Sequence, residues 1–155
     1  MKIIKDKAII EDSWTHYDGT GDIPAGDLIV PMAVWKEMDL SGHKVGLRLE
    51  PDDHPGDIAS DLDSFDLIAI NFPSFNDGRG YSYAKILRDR FGYGKEIRAI
   101  GDVMRDQIFY MQRCGFNAYE VKADRDIKDA LHAFDDFTVT YQTSADEAVP
   151  LYRRK

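Results

Sequence analysis

Asp77, Arg79 and Asp102 are the residues of this chain best placed by type and setting to do chemistry. Asp77-Gly78-Arg79-Gly80-Tyr81-Ser82 leads straight into an apolar-periodic stretch. Gly78 and Gly80 can take backbone angles closed to other residues and so expose main-chain N–H groups. A helix N-terminus adds partial positive charge there, and Arg79 adds a full charge on a planar donor fork. With Tyr81 and Ser82 at the start of the helix, the segment suits a phosphate, sulfate, sulfite or carboxylate. A plainer reading is a tight Asp-Gly turn with Arg79 paired to a neighbouring acid. The pattern is neither a Walker loop nor a dinucleotide fingerprint. Asp77 or Asp102 is the candidate base for proton transfer. Asp102 also precedes an apolar-periodic helix, where it reads as an N-cap.

These residues lie in a basic island. From Asp77 to Phe116 there are eight basic and five acidic residues, 8 − 5 = +3, whereas the rest of the chain has 12 and 23, or −11. Such contrast points to an anionic small molecule or an acidic partner surface. Arg98, Arg105 and Gln107 join Arg79 as anion- or partner-binding candidates, and Arg88 and Arg90 as further docking residues. Arg105, Asp106 and Gln107 share the first turn of a helix, so at most one or two of them face the same rim.

The elements that must position these groups follow from the apolar rhythm. Lys2–Ile4 and Ala8–Ile10 read as a hairpin, and residues 11–26 as a polar, Gly-rich loop holding Trp14, His16 and Tyr17. Leu28–Val30, Val45–Leu49, Leu67–Phe72, Ile97–Ile100 and Ala118–Val121 read as strands, with Phe137–Tyr141 as a further one. Helices are expected after Pro31, from Pro55, from about Tyr81 to Phe91, from Val103 to Arg113, and through Ile127, Ala130, Leu131 and Phe134. This alternation predicts an α/β fold with an N-terminal β-hairpin and a five- or six-stranded, mainly parallel sheet. The sheet is either open and doubly wound or part of a β/α barrel. In both cases ligands belong at the carboxyl ends of the strands. Residues 1–142 form one domain in this reading, and 143–155 a mobile tail.

Composition narrows the function. A net charge of −8 argues against nucleic-acid binding. No apolar run approaches the ~20 residues needed to span a bilayer, and the N-terminus lacks a signal-peptide h-region, so a cytoplasmic location is expected. Cys114 is the only cysteine, which excludes an internal disulfide or C-x-x-C pair. Its place near the apolar face of a helix makes it a core thiol rather than a nucleophile. His54 beside Asp52 and Asp53 lacks paired metal-ligand spacing, so no metal site is assigned. No cofactor motif is present, and the cofactor stays unknown.

The runs F-x-x-F-x-D-G-R-G-Y-S, L-R-x-R-x-G-Y, R-A-x-G-D-V, R-D-Q and R-C-G-F, densest from Phe72 to Glu120, resemble a bacterial family of unknown function. Its members usually carry an oxidoreductase label tied to sulfite reduction. The chain departs from the family at Asn76, where Thr or Ser is expected, and at Asn117, where Asp is usual. The resemblance implies a cytoplasmic role in assimilatory sulfate reduction, beside the sulfite reductase haemoprotein, without supplying a mechanism. Two functions follow. One is an accessory protein that binds the sulfite-reducing machinery; the other is a small-molecule enzyme whose rim holds an anion at Arg79, with Asp77 or Asp102 as base. Arg79 in a concave pocket with Asp102 would favour the enzyme, and Arg79 on a flat face with Arg88 and Arg105 would favour docking.

Overall fold

The computed structural model describes residues 1–74, 77–122 and 126–136. The expected strand Phe137–Tyr141 and the tail 143–155 lie outside them. Two strands, β1 (Lys2–Lys5) and β2 (Ala8–Glu11), form the hairpin. Asp6 and Lys7 take φ of 51° and 66° at its turn, the left-handed pair that matches the twist of a two-residue hairpin. Six further strands follow: β3 (Thr15–His16), β4 (Leu28–Pro31), β5 (Val45–Leu49), β6 (Leu67–Phe72), β7 (Glu96–Gly101) and β8 (Ala118–Tyr119). Between them lie α1 (Met32–Glu37), a 3₁₀ helix (Pro55–Ser64), α2 (Arg79–Lys85) running into a π-helical turn (Ile86–Arg90), and α3 (Arg105–Cys114). Two short helices close the described chain, α4 (Ile127–Leu131) and α5 (Ala133–Asp136).

All eight strands join one sheet in the order β2-β1-β8-β7-β6-β5-β4-β3. Strands β3 to β8 pair in parallel in sequence order, and β1 runs antiparallel to both of its neighbours, β2 and β8. A doubly wound sheet reverses its strand order at a switch point. This order has no reversal between β3 and β8, so successive right-handed crossovers place the helices on one face. The sheet is a curled half-barrel. It has eight strands rather than five or six because β1, β2 and the two-residue β3 join it.

One contact measures the curl. His16 on β3 and Glu120, just after β8, are five strand spacings apart, about 24 Å across a flat sheet. Yet His16 Nε2 lies 3.0 Å from both carboxylate oxygens of Glu120. The main core fills the convex side, where Leu47, Leu49, Ile68, Ile70, Phe72, Ile97 and Ala99 meet the helices. Leu67, Ala69, Ile29 and Ile100 point to the concave side, which Trp14 covers. Among the described residues, no helix is long and apolar enough to cross a membrane.

Candidate functional site

Side chains alternate along a strand, so Arg48, Glu96 and Arg98 share the concave face of the sheet with Leu67 and Ala69. Register sets Arg48, Ala69, Arg98 and Ala118 side by side in one layer. The two alanines leave room beside Arg98, whose guanidinium is 1% exposed. It donates through Nε to Glu96 (2.8 Å), through Nη1 to Glu120 (2.8 Å) and through both Nη atoms to Asp12 (2.9 Å each). Lys5 reaches Glu96 at 3.0 Å. Burial alone would raise the Glu120 carboxyl, but His16 and Arg98 outweigh it and hold Glu120 below the usual carboxylate range. Burial likewise opposes the Arg98 charge, and its carboxylate partners win, raising its pKa. The His16 side chain is 34% exposed. Its Nδ1 has no hydrogen-bond partner among the described residues.

At the carboxyl edge of the same face, Asn71 donates to Glu50 at 2.7 Å, and Arg48 Nε lies 2.8 Å from the other Glu50 oxygen. That contact is an ion pair but is out of line for a hydrogen bond, so the buried Nε makes none. Arg48, Glu50 and Asn71 thus line the place where parallel β/α sheets bind ligands. His54, in the following loop, caps the 3₁₀ helix by accepting from Gly56 N–H.

The rim residues expected from sequence are placed as follows. Arg79 is half-exposed and clamped by Asp77 (2.8 Å) and Asp52 (2.9 Å). The side chain of Arg79, and then its N–H, hold the Asp77 carboxyl below its ordinary range, which makes it a weak base. Asp102 is apart from this pair, 3.4 Å from Lys122. It does not cap α3, whose N-cap is Met104 with no side-chain bond. Gly101 turns the chain at φ 86° and inserts Val103 and Met104 before the helix. Arg79 therefore meets neither arrangement posed above, since Arg88 binds the carbonyls of Gly115, Tyr93 and Lys95 and Arg105 binds Asp129 of α4. Arg98 faces the concave interior rather than the rim.

The glycines differ from expectation in their physical reason. Gly78 has φ −89°, open to any residue. A Cβ on Gly80 would lie 2.6 Å from the Phe72 ring and 2.9 Å from Ile70, so its role is close helix–strand approach. Tyr81 is half-buried, with its ring 5.1 Å from Phe72 and 5.0 Å from Tyr110. Ser82 is exposed on α2, and Gln107 is half-buried in the first turn of α3. Cys114 is 2% exposed, and burial pushes its thiol up, as fits a packed core thiol. Among the described residues, no group of three His, Cys, Asp or Glu could hold a metal ion.

Sequence reasoning missed His16, Arg48, Asn71 and Glu120. A lone His in a polar loop carries no spacing signal. Arg48 and Arg98 did leave one: each is a charge inside an apolar strand, and Glu96 shares the face of Arg98 by alternation.

No curated protein and no solved structure matches the chain. Residues 46–152 match a family described as bacterial protein of unknown function (DUF934), a span that takes in β5 to β8, the paired rim acids and Arg98 with two of its three carboxylates. With well over half of its length matched, the chain belongs to that family.

Proposed function

We propose that the protein is a cytoplasmic accessory factor of assimilatory sulfite reduction that docks on the sulfite-reducing machinery through the α2–α3 face. The pathway rests on the resemblance carried by the motifs between Phe72 and Glu120. The observation that carries docking is Tyr110, 51% exposed on α3 and packed edge-on against Tyr81. Lys85 is exposed on α2, which packs against α3. Arg113 sits over the Phe109 ring at 5.9 Å. An exposed aromatic flanked by cations has the composition of an interface centre, and it fits an acidic partner. Titration of the purified protein with sulfite reductase haemoprotein at low salt tests the reading. Micromolar association, weakened about tenfold or more by Tyr110→Ala or Lys85→Glu, is expected. No association at those concentrations refutes it.

A second reading is a small-molecule enzyme at the carboxyl edge. Arg48, Glu50 and Asn71 favour it, because they present donors and an acceptor at the mouth of the concave face. An anion at Arg79 would first have to displace Asp52 or Asp77. Turnover insensitive to Arg48→Ala and Arg79→Ala would count against this reading.

A further inference from the structure

The opposite end of the sheet holds a separate cavity. It occupies about 470 Å³ where the chain enters β7 and β8, beside the β1–β2 turn. That volume is in the range of small-molecule sites. Tyr93, Phe116, Tyr119 and Phe134 border it with aromatic edges only, since all four are more than nine-tenths buried in the core. Gly92 and Gly94 supply bare main chain, since a Cβ on either would meet open space. Lys7 and Arg88 against Asp6 give the lining a charge of 2 − 1 = +1, in a chain whose net charge is −8.

The walls are fixed without a ligand. Arg88 donates to the carbonyls of Gly115 (3.0 Å), Tyr93 (2.7 Å) and Lys95 (2.7 Å), and Asn117 accepts from Ile97 N–H at 2.8 Å. Two of the motifs singled out in the sequence, Leu87-Arg88 to Tyr93 and Arg113 to Phe116, therefore meet at this one place. Lys7 stands at the entrance with no partner among the described residues.

We propose that this cavity binds a planar aromatic ring carrying an anionic group. The ring meets the aromatic edges, and the anion sits by Lys7 and the glycine main chain. Nucleoside monophosphates and aryl carboxylates share this chemistry. The site is independent of the docking face and of the carboxyl edge.

Calorimetric titration of the full chain with adenosine monophosphate, benzoate, adenosine and inorganic phosphate tests the proposal. One of the two ring-bearing anions should bind at least about tenfold more tightly than adenosine or phosphate alone; which of the two does so identifies the source. Gly94→Phe should abolish that binding at an unchanged melting temperature, because Gly94 has no left-handed φ and its side chain would fill open cavity. Lys7→Glu should weaken it about tenfold or more. Failure of both ring-bearing anions to bind at millimolar concentration would overturn the proposal, as would binding unaffected by Gly94→Phe. Equal binding of phosphate alone would overturn the ring requirement and the proposal with it.

Discussion

Replacing Arg98 with Met strands buried carboxylates, and the structure says which ones. Asp12 has no other side-chain partner among the described residues, so its carboxylate, 5% exposed, loses both of its hydrogen bonds. Glu120 retains His16 and Glu96 retains Lys5. Breaking one buried pair costs about 3–5 kcal/mol, because the remaining charge is uncompensated. For a chain of this size that is a fall of roughly 6–20 °C in melting temperature, at about 2–4 °C per kcal/mol. Urea unfolding at pH 7 and pH 4 measures it. Acid protonates the stranded carboxylates, so the deficit should shrink at pH 4. Asp12→Leu combined with Arg98→Met should recover part of the loss, since it removes the stranded charge. If Arg98→Met fails to fold, Asp12→Ala is the milder variant and should cost less than Arg98→Met, because Arg98 keeps two carboxylates. An Arg98→Met deficit below about 1 kcal/mol, or one equal at both pH values, would refute the view that this cluster is a desolvated charge network.

Gly80→Ala should destabilise by about 1–3 kcal/mol in urea unfolding, because its Cβ would press into the Phe72 ring and Ile70. Glu120→Gln bears on pH dependence. A carboxyl held low when folded adds stability above its unfolded pKa and loses it as pH falls through the folded value. Wild-type stability should therefore hold down to about pH 4.5 and fall below it, and Glu120→Gln should flatten that fall; an unchanged acid limb would count against the assignment. Arg79→Ala should leave thermal stability essentially unchanged, since both of its ion pairs are solvent-exposed, whereas the equally charged Arg88→Ala should lower it measurably through the carbonyls left unpaired.

The parts of the fold legible in sequence are those where a strand is buried on both faces. Leu67–Phe72 and Val45–Leu49 form strands with those bounds, because apolar runs flanked by polar turns have few alternatives. The hairpin is equally readable, but a turn placed at Lys5 to Lys7 is one residue too long, since Lys5 pairs with Ala8 and only Asp6 and Lys7 turn. The apolar rhythm shortens β7, since Glu96 and Gly101 look like strand ends while the ladder pairs them with Leu67 and Phe72. β3 was not found at all: two polar residues have no periodicity, and their pairing with Leu28 and Ile29 is a tertiary choice. The choice between an open sheet and a half-barrel was equally closed to sequence, because it depends on which strand each crossover returns to. The candidate site was legible only as a rim. The inward charges on β5 and β7 required knowledge of which face curls inward.

The basic island shows why charge counted along a chain misleads about a surface. Its +3 was a property of residues 77 to 116, but three of its arginines pair with acids distant in sequence. Arg79 reaches Asp52, 27 residues away; Arg98 reaches Asp12, 86 away; and Arg105 reaches Asp129. The remaining −11 of the chain therefore supplies the counterions, and the island does not survive as one electropositive face. What stands out on α2 and α3 is the exposed Tyr110 with Lys85 exposed on the neighbouring helix, an aromatic centre with little charge. Binding to a partner through that face should accordingly depend more on Tyr110 than on any single cation, and should weaken only shallowly with salt. A steep loss of affinity between low and physiological ionic strength would instead mean that the partner breaks the ion pairs at Arg79 or Arg105 and recruits those arginines for itself.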